Sequence, residues 1–231
     1  MQRLVAAVFA SLIVAPNVYA GAVAHKPMHH QVGEVDFELE SRAAPRRPTP
    51  PPPPPPRREL VKKALVKARA KHLAALHKYR DKGVFAHSLD RAGEVYVWRD
   101  ADGHLDAVAA MMAMETKDQA NLVVALSSQL NGVHLIEYND GTVMPWMLTS
   151  GFSLDELDRI QRPHTRPAVV REGDTAWQVE EDERLAKSYG AVESYLKSHA
   201  DDGLEAATDA LMLRSELAWK AIGRTPPRTA R

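Results

Sequence analysis

Residues 57–83 read RRELVKKALVKARAKHLAALHKYRDKG, and they predict a long amphipathic helix. Apolar and aromatic side chains recur at the helical spacing that places them on one face; they are Val61, Leu65, Ala68, His72, Leu76 and Tyr79. Gly83 is the residue type that most often ends a helix. The other positions are rich in lysine and arginine, so the outer face of this helix is expected to be basic.

The segment after this helix mixes strand and helix signals. Alternating β-branched and aromatic residues at 94–99 predict a strand, and the alanines and methionines at 105–114 favour a helix. A second helix is expected at 117–130, before an Asn-Gly stop. The sequence VHLIEY at 133–138 predicts another short strand.

The last third of the chain is predicted to be helical. Ser153 and Glu156 form an S-x-x-E capping box, which marks the start of one helix. Apolar stripes run through 174–200 and 201–223, and the short joint between them predicts an antiparallel helix pair that either packs on the basic helix or forms a separate lobe. The predicted fold class is mainly α (α+β), a helical domain with a small two- or three-strand β element and a C-terminal antiparallel helix pair.

The first 20 residues predict a secretory signal peptide. Arg3 supplies the positive charge, and the apolar run Leu4–Ala15 ends at Pro16. A transmembrane helix needs about 20 apolar residues, so no transmembrane segment is expected after signal removal. Three cleavage sites fit, after Ala20, Ala22 or Ala24. The mature protein is therefore expected to be exported, to the periplasm or outside the cell.

The chain contains no cysteine, so it must fold without disulfides or thiolate metal sites. Composition divides the mature chain into a disordered N-terminus at 21–44, a proline-rich linker at 45–56, the basic helix with an α+β domain at 57–163, a helix pair at 164–224 and a tail at 225–231. The linker contains seven consecutive prolines. It is expected to be a stiff polyproline II spacer.

Charge is distributed unevenly along the chain. Residues 42–82 hold thirteen Lys and Arg against two acidic residues, whereas residues 83–231 hold fifteen against twenty-four. This asymmetry indicates an anionic partner, for which an envelope surface or an acidic polymer suits an exported protein. The expected contacts are Arg57, Arg58, Lys62, Lys63, Lys67, Arg69 and Lys71. The alternative is that the basic segment is only solvated, or folds back on the acidic remainder.

The predicted contact with such a surface is electrostatic. The basic segment has no Trp or Phe to insert into a membrane, so high salt should weaken the contact. Among Phe, Trp and Tyr, the basic segment contains only Tyr79. Binding of single-stranded nucleic acid needs aromatic residues interleaved with the charge. Nucleic acid is therefore not an expected partner.

Four residues are weak candidates for catalysis: His87, Asp90, His104 and Asp106. A zinc site needs three or four such groups to converge, yet the tight spacings of known metal motifs are absent, as is G-x-S-x-G. The sequence favours a non-catalytic binding or structural protein of the cell envelope, of unknown ligand. A metal-dependent or hydrolytic enzyme is the alternative, and convergence of the four side chains in one pocket would favour it.

A second alternative is copper binding at the mature N-terminus by His25, His29 and His30. Cleavage after Ala22 or Ala24 makes His25 the third or first residue, where the amine, amides and imidazole suit Cu(II) or Ni(II). Cleavage after Ala20 leaves only a loose histidine cluster. No other cofactor is expected.

Four short motifs occur in order between residues 70 and 163. Tyr79, Arg80, Gly83 and Phe85 form the first, and Ala107–Ala109 the second; Trp146, Ser150 and Gly151 form the third, and Glu156, Ile160, Gln161 and Pro163 the fourth. In this order they resemble a family of exported bacterial proteins of unestablished function. The resemblance implies an exported domain and supplies no activity. The chain departs from the family pattern at Asp106, where a cysteine is expected.

Overall fold

The computed structural model of the protein describes residues 52–88, 91–138, 141, 143–170 and 175–227. The predicted signal peptide, the N-terminal segment at 21–44, most of the proline-rich linker and residues 228–231 of the tail lie outside the described residues. So do the copper-ligand candidates His25, His29 and His30, and the catalytic candidate Asp90.

The predicted fold class is confirmed. The described part of the chain forms nine α-helices and one two-stranded antiparallel sheet. The longest helix, α1, spans Arg58–Lys82, and Gly83 ends it in the left-handed conformation with a φ of 62°. Its buried face consists of Val61, Leu65, Arg69, His72, Ala75, Leu76 and Tyr79. Arg69 therefore takes the place predicted for Ala68, because a carboxylate on another helix pairs with it.

The sheet joins two strands that lie far apart in sequence. Strand β1, Gly93–Val95, pairs with β2, His164–Arg166, so that Glu94 faces Thr165. The strand predicted at 94–99 is thus shorter than expected. The strand predicted at 133–138 is wrong, since Leu135–Glu137 forms a turn of 3₁₀-helix. The Leu135 N–H donates to the side chain of Gln161 (2.7 Å), which leaves it no place in a strand ladder.

Five short helices lie in the chain between α1 and the C-terminal helices. They are α2 (Ala107–Ala113), α3 (Lys117–Ala125), α4 (Ser127–Leu130), α5 (Met144–Thr149) and α6 (Leu154–Ile160). The helix predicted at 117–130 is interrupted at Leu126. The capping box predicted for α6 is present, with Ser153 and Glu156 each accepting a hydrogen bond from the other's backbone N–H.

The C-terminal helices are α7 (Ala176–Ser198), α8 (Ala200–Met212) and α9 (Ser215–Ala221). Helices α7 and α8 follow one another along α1 in the opposite direction to it. The Tyr189 ring meets Tyr79 near the end of α1, the Leu196 carbonyl meets Arg69 at its middle, and Glu205 meets Arg58 at its start.

The chain reverses later than the sequence predicts. The single residue between α7 and α8, His199, leaves the direction unchanged, and the turn lies at Leu213–Arg214. Helix α9 then returns along α1, and Trp219 Nε1 donates to the Pro54 carbonyl oxygen (2.8 Å). The antiparallel pair is therefore α8 with α9, and it packs on α1.

Buried apolar side chains form two clusters that both use α1. The larger cluster packs the second half of α1 against α2, α5, α6 and α7. The smaller cluster packs Val61 and Leu65 of α1 against the apolar faces of α8 and α9. Among the described residues, no helix combines the length and the apolarity that spanning a bilayer requires.

A buried ion pair lies where α1, α6 and α7 meet. Arg69 donates two hydrogen bonds to Glu156 (both 2.7 Å), one to the Gly151 carbonyl oxygen (3.1 Å) and one to that of Leu196 (2.7 Å). Both charged side chains are only 4% exposed. Gly151 approaches α1 so closely that a Cβ there would overlap the α1 backbone, and a Cβ on Gly203 would overlap the Glu156 carboxylate. The absence of a side chain at both glycines therefore leaves room for this pair.

Candidate functional site

A tight turn at residues 100–104 presents two aspartates and a histidine. The turn is closed by an antiparallel bridge between Arg99 and Leu105 and by Gly103, whose φ is 88°. Asp100 accepts hydrogen bonds from the His104 N–H (2.7 Å) and from His104 Nδ1 (3.0 Å). One ligand atom from each of Asp100, Asp102 and His104 lies within 4.8 Å of the other two.

His87 brings a second histidine to the same place. It follows α1 on the segment 84–88, and its backbone N–H donates to Asp100 Oδ2 (3.2 Å). Its ring packs edge-on against Trp177, with 5.5 Å between ring centroids. His87 Nε2 lies 3.1 Å from Asp182 Oδ1 on α7, so residues from three parts of the chain meet here.

These side chains line one open cleft of about 350 Å³, together with Gly83, Phe85 and the start of α7. Burial raises the pKa of Asp182, although the neighbouring His87 acts in the opposite direction. The buried His87 Nδ1 has no hydrogen-bond partner among the described residues. Imidazole and carboxylate groups so arranged can transfer protons or hold a cation.

The four predicted catalytic residues converge only in part. His87 and His104 line the cleft, but Asp106 lies in the core as the N-cap of α2, where it accepts from the Ala109 N–H (2.6 Å). Burial raises the pKa of Asp106 to about 7. Its candidacy as a cleft residue was wrong, because an aspartate just before an apolar helix is held by the helix end. Asp90 lies outside the described residues.

The predicted basic contact set divides into two groups. Arg58 and Lys62 form ion pairs with Glu205, and Arg58 also pairs with Asp209. Hydrogen bonds from Lys62 and Arg58 lower the pKa of Glu205. Arg69 is buried, and including it among the surface contacts was wrong. Part of the basic segment therefore folds back on acidic helices, as one alternative expected.

The remaining basic residues stay outside. Arg57, Lys63 and Lys67 are exposed, and the described part of the chain offers them no ion pair. Lys71 is exposed and lies 3.6 Å from Glu115, a contact shared with the buried His72. A hydrogen bond from His72 is the main cause of the lowered pKa of Glu115.

Sequence reasoning missed three residues of the cleft and one of the exposed basic residues on α1. Asp100 and Asp102 precede His104 by four and two residues, and this spacing is the signal that could have identified them. Asp182 carried no local signal, since only the packing of α7 brings it to His87. Lys78 continues the helical spacing of Lys71 and is exposed without an ion pair among the described residues.

The motif residues that carry the family resemblance have structural roles here. The Tyr79 hydroxyl donates to the Leu105 carbonyl oxygen (2.8 Å), Phe85 is buried, and Glu156 and Gln161 make the buried contacts given above. No family model matches the chain, and comparisons with curated proteins and with solved structures found no similar protein.

Proposed function

We propose that the protein is an exported, non-catalytic protein of the cell envelope that binds an anionic phospholipid surface through one face of α1. We call this the lysine face; it consists of Lys63, Lys67, Lys71 and Lys78. The observation that supports it most is the division of the α1 cations. Those directed towards the other helices pair with carboxylates, whereas the lysine face is exposed and largely unpaired.

The spacing of the lysine face suits a flat surface. Intervals of four, four and seven residues keep the side chains on one side of a helix, and fifteen residues correspond to about 22 Å of helix. The small residues Ala70 and Ala74 lie between the lysines and do not obstruct an approach. A planar array of phosphates therefore has access to all four ammonium groups together.

The expected binding is electrostatic and reversible. A lysine near an anionic membrane contributes about 1 kcal/mol at physiological ionic strength. The exposed large apolar residues nearest the face are Leu60 and Val66, and it carries no Trp or Phe to insert among acyl chains. The protein should therefore lie on the headgroups and detach at high salt.

The enzyme alternative receives less support from the same structure. His87 and His104 share a cleft, but Asp106 is committed to the end of α2. Among the described residues, the cleft contains no serine, threonine or lysine activated by a neighbouring base. Catalysis by this cleft remains a hypothesis.

The test is co-sedimentation of the full mature chain with lipid vesicles. Binding to vesicles containing phosphatidylglycerol is expected, with little binding to phosphatidylcholine alone. Lys63→Gln/Lys67→Gln should weaken binding by about 2 kcal/mol, roughly thirtyfold. The matched control Lys187→Gln/Lys197→Gln removes two exposed charges from α7 and should leave binding unchanged.

Three outcomes would overturn the lipid proposal. They are equal binding to neutral vesicles, equal effects of the two double variants, and binding to a soluble acidic polymer without binding to vesicles. Export is tested separately by mass spectrometry of the N-terminus of protein recovered outside the cytoplasm. A chain that begins at Gly21, Val23 or His25 supports it, and a chain that retains Met1 inside the cell contradicts it.

A further inference from the structure

We propose that the cleft beside α7 is a binding site for a divalent first-row transition-metal ion. Its ligands are drawn from His87, Asp100, Asp102, His104 and Asp182, which line one cleft of about 350 Å³. This site is separate from the lysine face, and either can be present without the other.

The turn supplies the first three ligands in nearly the required arrangement. One atom from each of Asp100, Asp102 and His104 lies within 4.8 Å of the others, and a metal with ligands at about 2.0–2.2 Å would draw these atoms closer together. The Asp100 side chain is only 3% exposed, and two backbone N–H groups, those of His87 and His104, hold it in place. Asp102 is exposed and free to turn towards an ion.

His87 and Asp182 bring two further possible metal ligands to the same cleft. The His87 side chain is 11% exposed, yet its buried Nδ1 has no hydrogen-bond partner. The Oδ1 of Asp182 lies 3.1 Å from His87 Nε2, so a carboxylate stands beside this histidine. Buried polar atoms normally find a partner. A cation in the cleft would give His87 Nδ1 the partner that the described residues do not supply.

The types of ligand decide the class of metal. Imidazole nitrogen favours zinc, nickel, copper or iron, whereas all-oxygen sites suit magnesium and calcium. Two histidines combined with carboxylates therefore select Zn²⁺, Ni²⁺, Cu²⁺ or Fe²⁺ over Mg²⁺, and Mn²⁺ can serve as a weaker paramagnetic probe of the same site. Three carboxylates also supply negative charge to compensate a divalent ion. His104 is 40% exposed, so the ion can enter directly from solvent.

The experiment is calorimetric titration of the full mature chain with Zn²⁺, compared with two variants. Asp102→Asn/His104→Gln should weaken one binding event by about tenfold or more. The control His25→Ala/His29→Ala/His30→Ala removes the other histidine cluster and should keep that event. Because Asp102 is exposed and His104 is only partly buried, the melting temperature of the metal-free variant should lie close to that of the parent.

A second measurement needs no variant. Mn²⁺ added to the unmodified chain should broaden the amide resonances of Gly103 and Val179 first, since Gly103 lies between two proposed ligands and Val179 lines the cleft. The proposal is overturned if Zn²⁺ binding survives in Asp102→Asn/His104→Gln, if it disappears only in the N-terminal variant, or if Mn²⁺ broadens other regions first. Equal binding of Mg²⁺ and Zn²⁺ would overturn the class of metal.

Discussion

Replacing Arg69 by methionine should lower the free energy of unfolding by about 3–5 kcal/mol, because it leaves a buried carboxylate without its counter-charge. The change removes two hydrogen bonds to Glu156 and one each to the carbonyl oxygens of Gly151 and Leu196. Glu156 is 4% exposed, so water cannot replace the lost donors. Methionine retains most of the apolar stem, and the loss therefore reports mainly on the charge.

Urea unfolding followed by far-ultraviolet circular dichroism measures this effect. Lys67→Met is the matched control, because Lys67 lies two residues away on the exposed side of α1 and has no ion pair within the described structure. Its free energy of unfolding should change by less than about 0.5 kcal/mol. Similar values for the two variants would refute the burial of Arg69 and return it to the surface contacts.

The double variant Arg69→Met/Glu156→Leu separates charge from packing. Replacing both partners of a buried ion pair by apolar residues costs less than removing one, so the double variant should be more stable than Arg69→Met alone. Recovery should be incomplete, since Glu156 also accepts the Ser153 N–H (2.9 Å) as part of the capping box, worth about 1 kcal/mol. A double variant less stable than the single one would contradict this account.

Gly203→Ala should destabilise the fold, because the new Cβ would overlap the Glu156 carboxylate. Gly190→Ala, in an open part of α7, should stabilise the fold by about 0.5–1 kcal/mol. Urea unfolding of the two variants measures both effects. Burial raises the pKa of Asp106 from 3.8 to about 7, so protonated Asp106 stabilises the fold fully below pH 3.8, and this contribution is lost as pH rises to about 7. The variant Asp106→Asn should therefore gain stability relative to the parent over this pH range, by up to about 4 kcal/mol. Burial lowers the pKa of His164 from 6.5 to about 4, so the contribution of neutral His164 to stability is complete above pH 6.5 and is lost as pH falls to about 4. The variant His164→Gln should therefore gain stability relative to the parent over this pH range. Differences from the parent that do not change with pH would contradict both pKa shifts.

Local signals predicted two of the helix boundaries. The end of α1 at Gly83 and the capping box of α6 agree with the structure, because both depend on residues close in sequence. The strand at 164–166 went unnoticed between two prolines, since its partner lies about seventy residues away. The reversal at Leu213–Arg214 also depends on packing against α1, which no local pattern encodes.

The surface residues show the same limit. Arg69 has the helical spacing of a core position, four residues after Leu65 and three before His72, but its charge alone placed it with the exposed residues. Its burial could be expected only by knowing that Glu156 would face it. His87 and His104 were identified from their chemistry, whereas Asp182 required the docking of α7.

The unequal size of the two apolar clusters has a consequence for motion. The smaller cluster holds seven buried residues against twenty-five in the larger, so the α8–α9 end should open more often than the rest. Its amide hydrogens, near Leu211 and Ala218, should exchange with solvent first. Lys63 and Lys67 lie on the part of α1 that borders this cluster. A surface that holds them would therefore slow exchange on α8 and α9, which couples adhesion at one face of the molecule to the rigidity of its least stable end.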